Sequence, residues 1–140
     1  MIEVKEFIKT KTPLSLPLEH QYNLQRLFYC LSFLRILFDR PMVITSGYRT
    51  LEEHYLIYQK INAERKQRGE PPRSIPYKSH HLLGAAADVF DPEGKLKEWV
   101  VKNIKVCEDL NIYFERFEYT KNWVHVSIYP PKSNERFFIP

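Results

Sequence analysis

Apolar residues first recur at helical spacing between positions 19 and 39, where Leu24, Leu27, Phe28, Leu31, Leu34 and Phe38 repeat every three or four residues before Pro41 ends the run. Gln25, Arg26, Ser32 and Arg35 interrupt it, so it reads as a buried amphipathic helix, too short and too polar to span a bilayer. The apolar positions 42–45, punctuated by Ser46 and Gly47, predict a short buried strand. A second helix is predicted over 50–68, opened by Thr50 and Glu53 as a capping box. Positions 69–76 hold Pro71, Pro72 and Pro76 and must form a loop. A central strand over 85–90 follows, then a turn at 91–94. The spacing of Leu96, Trp99, Val100, Ile104 and Cys107 predicts a helix over 95–110, and strands are predicted over 112–117 and 123–129. Positions 1–18, with Pro13 and Pro17, read as an extended lead-in, and 130–140 as an irregular tail.

Helices and strands are mixed without regular βαβ alternation, which predicts an α+β fold with helices packed on a small, mainly antiparallel sheet. A length of 140 residues, 44% of them apolar, suits one domain spanning 1–140. The opening residues lack a basic segment followed by an apolar one, so no signal peptide is expected. Cys30 and Cys107 sit in apolar helical patterns without CxxC spacing and read as buried free thiols. The net charge of +4 is only mildly basic, and no stacking aromatics alternate with the bases of 60–78. No nucleic-acid partner is therefore expected; that stretch reads as a solvated helix end and loop, or as a rim attracting an anionic wall polymer.

The chemistry concentrates among the five histidines. His81 precedes Asp88 by seven residues, with Gly84 between them as a place for the chain to turn. His125 lies in the apolar run Trp123-Val124-His125-Val126, a rigid strand mount. Taken singly, Asp88 reads as a strand-end carboxylate, His125 as a core histidine and His81 as a loop residue. Taken together, two imidazoles and one carboxylate make a zinc ligand set that keeps a fourth position open for water. HExxH, Walker, dinucleotide-glycine and GxSxG patterns are all missing.

The segment Ser79-His80-His81-Leu82-Leu83-Gly84-Ala85-Ala86-Ala87-Asp88 carries the SxHxxGxAxD pattern and resembles the signature of the M15 zinc peptidases. Upstream, Ser46-Gly47-Tyr48-Arg49 resembles that family's SGYR element; downstream, Trp123-Val124-His125 resembles its W-x-H element. The resemblance implies a hedgehog/DD-peptidase-like fold and Zn2+ held by His81, Asp88 and His125, with His80 on the rim. It further implies cleavage of an amide bond in peptidoglycan stem peptides, one that involves a D-amino acid or joins L-Ala to D-Glu. By the same resemblance Arg49 would bind a substrate carboxylate or support the site, Ser79 would hydrogen-bond substrate or a neighbouring group, and Trp123 would wall the cleft or serve as core.

Many M15 members place the catalytic acid three residues before the last histidine, where this chain has Asn122. Glu118 and Glu115 are the alternatives upstream, and Glu118, nearer the turn before the histidine strand, is the expected base. A phage or prophage lysin, made in the cytoplasm and acting at the cell wall or periplasm, is the expected setting. The rival expectation, kept alive by Asn122, is a zinc-holding but non-catalytic binding or virion-structural domain of the same fold.

Overall fold

The computed structural model describes residues 2–6, 8 and 15–140. Among them are four α-helices and a five-stranded mixed sheet, the α+β class that the sequence predicts. In chain order the elements are α1 (Leu18–Phe38), β1 (Val43–Ser46), α2 (Leu51–Gln67), β2 (Ala86–Phe90), α3 (Lys95–Lys102), α4 (Ile104–Asp109), β3 (Tyr113–Glu115), β4 (Trp123–Ser127) and β5 (Phe137–Phe138). The spatial order is β1-β2-β4-β3-β5, antiparallel throughout except for the parallel β3–β5 pair.

Period-two alternation divides the sheet into two unlike faces. Ile44, Ala87, Val89, Phe114, Val124 and Val126 point to one side and are buried in the core with Leu27, Leu31 and Leu34 of α1 and Leu96 and Val100 of α3. Asp88, Trp123, His125 and Ser127 occupy the intervening positions and point to the other face. Ala85, Ala86 and Ala87 are fully buried; their single methyl groups leave room for close neighbours.

Three sequence expectations change. The helix over 95–110 is interrupted at Asn103, whose side-chain amide donates to the Trp99 carbonyl and ends the first segment. The strand over 112–117 covers only Tyr113–Glu115, because Phe117–Tyr119 coils into a 3-10 turn and Phe117 packs on Phe114 and Phe137. The tail contributes a strand, β5, whose Phe137 ring stacks on Phe114. Of the lead-in, residues 1, 7 and 9–14, Pro13 among them, lie outside the described set; Ile2, Ile8 and Leu16 are buried in the core, and Glu6 pairs with Arg35 of α1 at 2.7 Å.

Gly84 adopts φ +72°, the left-handed conformation that closes the 3-10 turn His80–Leu83. A Cβ there would lie 2.9 Å from Leu24 Cγ and 3.0 Å from the His20 carbonyl oxygen. Gly84→Ala is therefore expected to destabilise the protein by about 2–4 kcal/mol, the sum of left-handed strain and overpacking, measurable as a lower urea midpoint at unchanged m-value.

Candidate metal centre

The capping box expected at α2 is present: Thr50 Oγ1 accepts from the Glu53 N–H, and the Glu53 carboxylate accepts from the Thr50 N–H. This fixes where the chain leaves the Gly47–Arg49 corner. The loop after α2 then runs back along that helix, pinned at successive points. Arg65 Nε donates to the Pro71 carbonyl at 2.7 Å; Asn62 exchanges two hydrogen bonds with the Arg73 backbone at 2.8 and 3.0 Å; and His54 Nε2 meets the Pro76 carbonyl at 3.1 Å. The path ends at Ser79, which caps the turn that carries His81.

Strand register assembles the rest. Asp88 of β2 stands opposite His125 of β4, and Ser46 of β1 stands opposite Asp88. The β3–β4 ladder pairs Tyr113 with Ser127 and Phe114 with Val126, so its next step brings Glu115 beside His125. Glu115 in turn pairs with Phe138 of β5. One row across the sheet thus reads Ser46, Asp88, His125, Glu115, Phe138, on the face opposite the core. The Phe138 ring lies edge-on to His125, with centroids 5.9 Å apart.

His81 joins this row from the 3-10 turn. Its Nδ1 is 2.8 Å from the Gly47 carbonyl oxygen and must donate to it, which leaves the Nε2 lone pair facing Asp88 Oδ2 at 3.4 Å. His125 Nδ1 approaches Asp88 Oδ1 at 2.8 Å. One ligand atom from each of His81, Asp88 and His125 lies within 4.8 Å of the others, so the three can hold a metal ion. The donor set suits a borderline cation: two imidazoles, one of them oriented by a backbone carbonyl, and one carboxylate. The side chains are only 4%, 15% and 12% exposed.

Electrostatics favour ligand-ready protonation states. Burial alone would raise the Asp88 carboxyl, but the two histidines, by charge and hydrogen bonding, outweigh it and hold the carboxyl well below the usual carboxylate range. Burial pushes the His81 imidazole down, against the opposing pull of Asp88. Burial raises the Glu115 carboxyl, His125 lowers it, Asp88 raises it and Arg73 lowers it. Glu115 therefore shares the field of the cluster.

Other expected site residues take these places. Arg49 is committed within the protein: Nε and Nη2 donate to Ser46 Oγ at 3.0 and 2.8 Å, Nη1 faces His54 Nδ1 at 3.4 Å, and Nη2 lies 3.6 Å from Asp88 Oδ2. Ser79 Oγ accepts from the His81 N–H at 3.3 Å, so it shapes the turn that presents this histidine. Trp123 is half-buried on the metal face, opposite Phe90. Glu118 lies on the 3-10 turn rather than on a strand, its side chain 64% exposed and 3.7 Å from Arg116. Asn122 accepts from the Asp91 N–H through its backbone carbonyl, outside the metal row. His80 sits beside the row, Nδ1 2.6 Å from Ser127 Oγ.

One contributor escaped sequence reading, and another was named there only as the second choice. His54 carries no metalloprotease spacing, yet it is fully buried and ties Arg49 to the Pro76 carbonyl. Glu115 was offered by the sequence beside Glu118, and its place in the row follows from pairing register, which sequence separation does not supply. No helix among the described residues is long and apolar enough to cross a membrane. Comparison with protein-family models, curated proteins and solved structures gives no match.

Proposed function

We propose that this chain is a zinc-dependent peptidase of M15-like, hedgehog/DD-peptidase-like type that hydrolyses amide bonds in peptidoglycan stem peptides. The observation that carries the reading is the meeting of His81, Asp88 and His125, from three separate stretches, within 4.8 Å, with the Glu115 carboxylate next in the same row. Two nitrogens and one oxygen leave a tetrahedral cation one open position. A zinc ion bound there supplies Lewis acidity, lowering the pKa of a coordinated water to about 7 and polarising a carbonyl.

The chain's own groups do the rest. The Gly47 carbonyl fixes the His81 ring, and Arg49, held by Ser46 Oγ, braces Asp88 from the β1 side. Glu115, its carboxyl raised by burial, takes the proton from the attacking water as the C–O bond forms. It returns that proton to the leaving nitrogen as the C–N bond breaks, so one water is consumed and an acid and an amine are released. Glu115 replaces Glu118 in this role because Glu118 faces solvent beside Arg116. Trp123 and Phe138 flank the row and would wall the cleft. A phage or prophage lysin reaching the wall from the cytoplasm is the setting proposed.

Digestion of purified peptidoglycan, followed by mass analysis of the products, tests the reading. Amide-cleaved stem fragments are expected, lost with a chelator and restored by added zinc. Zinc binding with no cleavage of any wall preparation would instead favour a non-catalytic binding or virion-structural domain.

A further inference from the structure

α2 is exposed or half-buried along its length except at His54, which is fully buried. An apolar side chain could fill such a position with no hydrogen bond to satisfy, whereas a buried imidazole needs a partner for each ring nitrogen. His54 has both. The Pro76 carbonyl can only accept, so Nε2, 3.1 Å away, carries the hydrogen. The Arg49 guanidinium can only donate, so Nδ1, 3.4 Å from Nη1, meets it with a lone pair. The Tyr58 ring, one turn further along α2, packs on the imidazole with centroids 4.9 Å apart. Arg49 Nη2 in turn lies 3.6 Å from Asp88 Oδ2, and Asp88 is one of the three residues that can hold the metal. One ring therefore stands between the loop after α2 and the carboxylate of the metal row.

We propose that His54 is a positioning residue of the metal centre: its Nδ1 sets the Arg49 guanidinium against Asp88, while its Nε2–H fastens the loop at Pro76 to the same ring. The inference rests on the reading of His81, Asp88 and His125 as metal ligands and is independent of which bond the protein cleaves. A carboxylate ligand keeps its direction toward a metal when an outer partner holds it, and such partners govern metal affinity. Without an acceptor at position 54, the Arg49 head is held by Ser46 Oγ from one side and loses the contact that aims it at Asp88. The two ring nitrogens thus divide the work, one toward the metal centre and one toward the loop.

The test separates those two roles by calorimetric zinc binding to the full chain, well below its melting temperature, beside melting of the metal-free protein. His54→Gln places an amide N–H where Nε2 stands, so it keeps the Pro76 bond and loses the acceptor for Arg49. It should melt close to the native protein and bind zinc about tenfold more weakly, the lower end of what loss of an outer partner costs. His54→Asn places an amide oxygen where Nδ1 stands and falls short of Pro76. It should melt lower and bind zinc within about twofold of native. In an Arg49→Gln background, His54→Gln should weaken zinc no further, since its effect passes through that guanidinium. A histidine that serves stability alone would instead make zinc affinity follow melting. Native zinc affinity in His54→Gln, equal weakening in both variants, or a further loss in the Arg49→Gln background overturns the assignment of His54 and leaves the metal centre standing. Failure of the native protein to bind zinc overturns both.

Discussion

Glu115→Gln is expected to lower kcat for stem-peptide hydrolysis by about a hundred- to ten-thousand-fold, the usual contribution of a positioned general base. Zinc content should be unchanged, because Glu115 is not among the three ligands. Glu118→Gln should stay within about twofold of the native rate, since that carboxylate is exposed and lies beside Arg116. The substitution at position 115 removes a proton acceptor while preserving shape, and it relieves a buried carboxylate whose ionised form burial disfavours. Stability should therefore hold or rise slightly while activity collapses. The check is kcat for both variants beside metal analysis and thermal melting. The reverse pattern, with Glu118→Gln inactive and Glu115→Gln active, would return the role to Glu118.

The second large effect concerns the metal itself. Asp88→Asn should abolish zinc binding, because it removes the ligand's negative charge and puts an amide donor in place of one of the two carboxylate oxygens that face His81 and His125. In the native protein, zinc at a thousandfold excess over its Kd stabilises the folded state by about 4 kcal/mol, which for a chain of this size raises Tm by about 10 °C. Asp88→Asn should show no zinc-dependent shift and no activity. A full shift in that variant would mean that zinc binds elsewhere and would remove the basis for the proposed chemistry. Melting with and without zinc reads this directly, without a substrate.

Distance along the chain and place in the fold diverge most for the two glutamates upstream of His125. Glu118 is nearer His125 in sequence, seven residues against ten, yet Glu115 is its neighbour in the sheet. The reason is the turn between β3 and β4: Phe117–Tyr119 coils and takes Glu118 off the strand, while the antiparallel register carries Glu115 back alongside His125. Likewise, Arg49 resembles an arginine that binds a substrate carboxylate or supports the site, and its hydrogen bonds tie it to Ser46 and His54. A linear motif identifies a side chain by type and spacing, and its partners depend on what the other strands and loops bring up against it.

Local chemistry alone determined the helix start at Thr50, the turn at Gly84, the buried α1 stripe and the α+β class, because capping, left-handed φ and hydrophobic period act over a few neighbouring residues. The chain also offered His81, Asp88 and His125 as a candidate ligand set, through their residue types, the strand settings of Asp88 and His125 and the resemblance of the flanking motifs. Tertiary structure decided the row from Ser46 to Phe138, the burial of His54, the break at Asn103 and the clamping of the Arg73 backbone on Asn62. These depend on strand register and on contacts between segments tens of residues apart, where a one-residue slip would turn every side chain to the other face of the sheet.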